Sequence, residues 1–198
     1  MAPSLDDQIK RRFQDVSVTG DGINTAEFLE AAEGVVKLFD LLESAAFYPV
    51  KTDMTTNIEK VRAKYESDPK AFDTLEKIVI AEAKSGDRKA TQGLLWLKRG
   101  LELTAMALKR NLDNGSEELS VSFTEAYNNT LKQFHGFIVK KMFGVAMLAC
   151  PDRKTFYLKV GGGKDGVEEQ LLQWVQALQT LLNQLNVFYA SGGHDKGL

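Results

Sequence analysis

Apolar residues recur along this chain at intervals of three and four over long stretches, and no stretch alternates convincingly as a half-buried strand would. Phe28, Ala31, Val35, Leu38, Phe39 and Leu42 form the first such stripe. Asn24 with Glu27 three residues later has the form of a capping box opening the helix beneath it. The pattern breaks at Phe47-Tyr48-Pro49, since proline supplies no amide hydrogen inside a helix. Thr52 is placed to cap a new helix running toward Tyr65. Asp68-Pro69 predicts the next start, with Phe72, Leu75 and Val79 on its buried face and Gly86 at its end. From Lys89 to about Leu112, the residues Leu94, Leu97, Leu101, Ala105 and Leu108 share one side. Leu95 and Leu103 widen that stripe, as expected of a helix touching more than one neighbour.

Asn114-Gly115-Ser116 reads as a loop, and Ser122 with Glu125 as a second capping box. The helix after it extends toward Ala149 until Pro151 blocks it. A shorter helix holds Phe156 and Leu158, and Gly161-Gly162-Gly163 is a joint. The last helix runs from roughly Val167 to Tyr189 with Leu171, Trp174, Leu178, Leu181, Leu185 and Phe188 on its apolar side, leaving a frayed tail from Ser191. Long helices with short joints imply an all-α, antiparallel, layered domain. It is expected to be a single domain over 1–198, with about 18–190 as the folded core and flexible termini.

The formal net charge of -2 comes from 25 basic and 27 acidic residues, so the surface as a whole has no field that would gather nucleic acid. Cys150 is the sole cysteine, which precludes an intrachain disulfide and points to a reducing compartment. Met1 to Gln14 has no apolar centre of the kind a signal peptide needs, and no uninterrupted apolar run approaches the ~18 residues of a membrane span. These features predict a soluble, cytoplasmic protein.

Three polar clusters interrupt the apolar helices. Asp53, Asn57 and Lys60 lie at spacings of four and three, on one helix face. They combine an acceptor, a donor–acceptor and a donor, suited to a polyhydroxylated or amide-bearing ligand and equally to a solvated face. Trp96 precedes Lys98, Arg99 and Gly100; its indole suits a sugar face or ordinary core. His135 stands beside Gly136, which permits close approach of a backbone or ligand. No nucleophile elbow, phosphate-binding loop or soft metal-ligand set accompanies these clusters. Neither enzyme chemistry, a cofactor nor a metal is expected.

The order Asp53-x3-Asn57-x2-Lys60, then Trp96-Leu97-Lys98-Arg99-Gly100, then His135-Gly136-Phe137 resembles the glycolipid transfer protein family, from about Phe28 through Ala190. The likeness is most specific at Phe47 to Asp53 and at Leu94 to Gly100. The resemblance implies a two-layer all-α sandwich of about eight helices, monomeric, with lipid-induced dimerisation left open. Its function would be to carry one glycosphingolipid between membranes at their cytosolic face. It assigns Asp53, Asn57 and Lys60 to the sugar, Trp96 to its stacking platform and His135 to the ceramide amide. For the hydrocarbon chains it suggests a lining of Phe39, Phe47, Val50, Leu95, Leu101, Phe143, Met147 and Phe156. Animal members carry tryptophan after the histidine-glycine pair, whereas Phe137 stands here, as in the fungal heterokaryon-incompatibility relatives. Phe137 and Tyr157 are the expected membrane contacts. Ceramide-1-phosphate transfer, with Arg99 and Arg110 in view, and a helical protein-interaction groove are the competing readings.

Overall fold

The computed structural model describes residues 3–198. Among these residues it contains α1 (Leu5–Gln8), β1 (Val18–Thr19), β2 (Gly22–Ile23), α2 (Thr25–Asp40), α3 (Tyr48–Ser67), α4 (Leu75–Ser85), α5 (Lys89–Asp113), α6 (Leu119–Asn129), α7 (Phe137–Leu148), α8 (Arg153–Gly161) and α9 (Val167–Gly192). The helices form the two-layer all-α sandwich. The long α5 is central to it, packing most extensively on α3 and also on α6, α9, α4 and α2. Leu94, Leu97, Leu101 and Leu108 of α5 are fully buried, as a stripe at three-and-four spacing requires.

Caps and breaks differ in instructive ways from the sequence pattern. Asn24 does cap α2, accepting from Glu27 N at 3.0 Å. The Glu27 carboxylate instead accepts from Ser17 N at 2.6 Å, so only half a capping box forms and the other half ties down the preceding hairpin. Pro49 begins a helix rather than ending one. It lies in the first turn of α3, where its missing amide hydrogen costs nothing. Asp68-Pro69 makes a turn, with Asp68 Oδ1 accepting from Ala71 N at 3.1 Å, and α4 starts later, capped by Thr74. Ser122 is not a cap but a buried member of α6 bonded to Asn111 and Glu117. The single helix expected through Ala149 is broken after Asn129. Thr130 leaves helical geometry at φ -120, ψ -85, a 3-10 turn spans Leu131–Phe134, and Gly136 is extended ahead of α7.

The termini described are packed. Leu5 and Phe13 are buried, and Phe13 lies 4.9 Å from the Trp174 ring. The expected frayed tail from Ser191 instead continues α9 to Gly192, and Gly193 at φ 60 terminates it. Arg88 then donates to the His194 carbonyl. The strands β1 and β2 pair antiparallel, Val18 with Ile23 and Thr19 with Gly22. At two residues each they are too short to leave a period of two in the sequence. A Cβ on Gly22 would sit 2.0 Å from Glu76 Oε2, and that carboxylate accepts from Ile23 N at 2.8 Å.

α5 lacks a side-chain cap of its own. Glu82, at the end of α4 and 1% exposed, supplies it from outside. Its oxygens accept from Ala90 N at 3.0 Å and from Thr91 N and Oγ1, both at 2.7 Å. A carboxylate at a helix N-terminus satisfies orphan amides and meets the positive end of the helix dipole. The anchoring matters for the site, since α5 carries Trp96. No helix among the described residues is long and apolar enough to cross a membrane.

Candidate functional site

A cleft of about 480 Å³ opens between α3, α5 and the broken segment joining α6 to α7. Asp53, Asn57, Lys60, Trp96 and His135 all line it. Helical spacing puts the first three on one face of α3. Their meeting with Trp96 depends on Gly93, one turn earlier on α5. A Cβ there would sit 2.9 Å from Lys60 Cβ and 3.2 Å from Asn57 O, so glycine lets the two helices approach. His135 reaches the cleft because the chain leaves helical geometry at Thr130. A continuous helix would carry it elsewhere.

The polar groups form an ordered chain. Lys60 Nζ donates to Asn57 Oδ1 at 3.1 Å, and Asn57 Nδ2 donates to Asp53 Oδ2 at 3.2 Å. Asn57 is buried, which makes these bonds its principal compensation. Asp53 lies open at the cleft mouth, yet the protein crowded about it raises its carboxyl pKa above the ordinary value. The Lys60 charge and the Asn57 hydrogen bond pull the other way. Its Oδ1 and the remaining Lys60 protons are left for another molecule.

His135 stacks on Trp96 with ring centroids 6.1 Å apart and an interplanar angle of 14°. Its Nδ1 lies 3.1 Å from the Tyr127 hydroxyl. Burial pushes the Tyr127 phenol up, so it keeps its proton and can donate or accept. Burial, with the nearby Lys140 charge, pushes the His135 pKa down, so the ring is neutral near pH 7. In the tautomer with hydrogen on Nε2, Nδ1 accepts from the Tyr127 hydroxyl and Nε2–H is left to donate into the cleft. Tyr127 had no signal in the sequence beyond its place on an apolar stripe. Trp96 is half-buried; Phe134 meets it edge-on at 6.4 Å, and the Arg99 guanidinium lies over both rings.

Of the apolar residues expected around hydrocarbon chains, Val50 and Phe143 line the cleft. Phe39 and Phe47 are buried together, their rings 5.6 Å apart. Leu101, Met147 and Phe156 are buried as well. Leu95 lines a different opening, between α5 and α9. Phe137 is 72% exposed. Tyr157 does not have the surface position expected of it. It is 6% exposed and donates to Asn111 Oδ1 at 3.1 Å, because α8 turns that side inward. Exposed apolar side chains gather instead on α7, beside the cleft, where Phe137, Ile138, Val145 and Leu148 face outward, with Leu158 of α8 and Val187 of α9 exposed singly elsewhere.

Among the described residues the lining holds no serine, threonine or cysteine, and Asp53 and His135 are its only carboxylate and imidazole. It is a surface of one anionic acceptor, several donors (Lys60, His135 and the amides of Asn57 and Gln92 among them) and aromatic faces, suited to binding a molecule rich in hydroxyl and amide groups. A glycolipid transfer protein of Aureobasidium melanogenum is 46% identical over 185 residues, covering 93% of this chain and 92% of the relative. The crystal structure of HET-C2, a fungal glycolipid transfer protein, superposes with a TM-score of 0.90 at 43% identity, covering 94% of this chain and 97% of the other. FAPP2, described as selecting simple glycosphingolipids with the same fold, superposes with a TM-score of 0.87 at 31% identity over 98% of both chains. The family model for glycolipid transfer protein matches residues 23–162, and the chain belongs to the glycolipid transfer protein family.

Proposed function

We propose that this protein carries one simple hexosylceramide at a time between membranes, as a monomer working at their cytosolic face. Lipid transfer without bond-making is the function that membership of the family brings; the choice of lipid is read from the site. The observation that carries it is the convergence of Asp53, Asn57, Lys60, Trp96 and His135 on one cleft. In this reading Asp53 and Asn57 take the hydroxyls of the first sugar, Lys60 adds a donor, and Trp96 lies against the ring. His135 Nε2–H donates to the ceramide amide oxygen.

A lipid of this class resists crossing water because each exposed methylene costs about 0.8 kcal/mol. The cleft accommodates a headgroup rather than two long chains, so the chains enter by parting the buried side chains near Val50 and Phe143. Phe39, Phe47, Leu101, Met147, Phe156 and Leu95 then become their lining. The outward apolar face of α7, with Phe137 foremost, rests in the membrane during exchange. A phosphate headgroup is the weaker reading. Among the described residues Lys60 is the sole lysine or arginine lining the cleft, and Arg110 is paired with Glu117 at 2.6 Å.

The test is to expose the protein to mixed vesicles containing glucosylceramide, ceramide-1-phosphate and phosphatidylcholine and weigh the complexes by native mass spectrometry. One glucosylceramide per chain is expected. Recovery of ceramide-1-phosphate alone, or of lipid-free protein throughout, overturns the reading.

A further inference from the structure

Arg99 follows Trp96 by three residues on α5, so the two side chains are neighbours on the helix surface. A half-buried arginine ordinarily pairs with a carboxylate, whose geometry its fork matches. Arg99, though half-buried, does not. Among the described residues its guanidinium has no ion-pair or hydrogen-bond partner. Glu102 is taken by Lys98 at 3.1 Å. With Asp195 it acts on Arg99 only from a distance, and burial still lowers the Arg99 pKa. The guanidinium lies instead 3.7 Å from the centre of the Phe134 ring and 4.8 Å from that of Trp96.

The two rings come from different elements. Trp96 belongs to α5, whereas Phe134 ends the 3-10 turn that follows α6. Phe134 is 44% exposed, so burial alone does not hold it, and it meets Trp96 edge-on at 6.4 Å. A planar cation attracted to both ring faces joins them. Trp96 lines the headgroup cleft and not the opening between α5 and α9, while Arg99 lines that opening and not the cleft. The cation thus reaches the indole from the side away from the cleft and leaves the cleft side to a ligand. His135 has further ties, to the Tyr127 hydroxyl at 3.1 Å and to the Phe143 ring at 4.7 Å. Trp96 has no hydrogen bond to the protein among the described residues, so its orientation depends on its contacts with His135, Phe134 and Arg99.

We propose that Arg99 is a positioning residue that sets headgroup selectivity, clamping Trp96 against Phe134 so that the indole stands ready as a sugar platform before lipid arrives. The proposal rests on the headgroup reading of the cleft. A sugar that stacks on a ring already held takes less side-chain freedom from the protein, and binds more tightly for it. A lipid without a sugar makes no use of that ring face. The clamp therefore adds to affinity for hexosylceramide and little to affinity for ceramide, and the selectivity between the two is its measure.

The experiment titrates short-chain glucosylceramide and short-chain ceramide into wild-type protein, Arg99→Met, Arg99→Lys and Asp53→Asn by calorimetry. Losing a partly desolvated cation–π contact should weaken glucosylceramide binding about tenfold in Arg99→Met and leave ceramide within about twofold. Arg99→Lys keeps the cation but not its plane, and its affinity should fall between. Fluorine NMR of protein carrying fluorotryptophan, with Trp174 as internal reference, should show one sharp Trp96 line in the lipid-free wild type and a broadened one in Arg99→Met. Glucosylceramide affinity within about twofold of the parent in Arg99→Met overturns the clamp, as does an equal loss for both lipids. So does Arg99→Lys binding no better than Arg99→Met, or a Trp96 line of parental width in Arg99→Met. If Asp53→Asn weakens glucosylceramide binding while Arg99→Met does not, the headgroup reading stands and the clamp falls. Wild-type protein that binds glucosylceramide no more tightly than ceramide ends both.

Discussion

Replacing Asp53 by asparagine changes almost nothing in shape and removes one negative charge from the cleft. Asp53 Oδ2 already accepts from Asn57 Nδ2, leaving Oδ1 and the unused lone pair of Oδ2 to accept ligand hydroxyls. A hydrogen bond to a charged acceptor contributes about 1.5–3 kcal/mol, against about 0.5–1.5 kcal/mol for a neutral one. The loss is thus about 1–1.5 kcal/mol per hydroxyl, and about 2–3 kcal/mol for two, which is roughly 30- to 150-fold in Kd. The fold should not suffer. Crowding raises the Asp53 pKa in the folded chain, so above that raised value its ionised form carries a cost to folding, which shrinks as pH falls and is gone below the ordinary carboxyl value. The variant should therefore melt at the parent temperature or slightly above, by circular dichroism. Wild-type affinity should decline as pH falls through a point above the ordinary carboxyl value of 3.8, and the variant should not follow. Calorimetric titration with a short-chain hexosylceramide measures both. A variant within about twofold of the parent at pH 7, or one that keeps the same acid decline, refutes the acceptor role.

Tyr127→Phe keeps the ring that stacks on Phe143 at 4.9 Å but removes the hydroxyl facing His135 Nδ1. Nitrogen-15 NMR should show His135 losing its preference for the Nε2–H tautomer, with affinity falling about 3- to 10-fold; an unchanged tautomer ratio contradicts the positioning role. Phe137→Ser alters a side chain that is 72% exposed, so melting and binding of soluble glycolipid should be unchanged. Membrane partitioning should drop roughly 10- to 150-fold, from the ~1.5–3 kcal/mol that burying a phenyl ring contributes. Parental transfer rates between vesicles would count against α7 as the docking face.

The placement of Asp53, Asn57 and Lys60 on one face was readable because it needs only a helix and spacings of four and three. The same holds for the stripe of α5 and for Gly86, whose φ of 82 ends α4. Elsewhere local chemistry was ambiguous. Proline is excluded from a helix interior and welcome in its first turn, so Phe47-Tyr48-Pro49 fits an end or a beginning equally. Ser122 has the composition of a cap, and only its burial beside Asn111 and Glu117 shows otherwise. The β hairpin was invisible because two residues per strand carry no periodicity.

Composition, charge and three-and-four periodicity, acting within a few turns of chain, determined by themselves that this protein is helical, lightly charged overall and equipped with three polar clusters. Tertiary structure decided that residues from all three clusters line one cleft. The approach of α3 to α5 at Gly93, the break that frees His135 from α6, and the inward turn of Tyr157 each depend on partners distant in sequence. Side-chain periodicity specifies which face of a helix is buried, but not which helix will cover it or how closely the two backbones will pass.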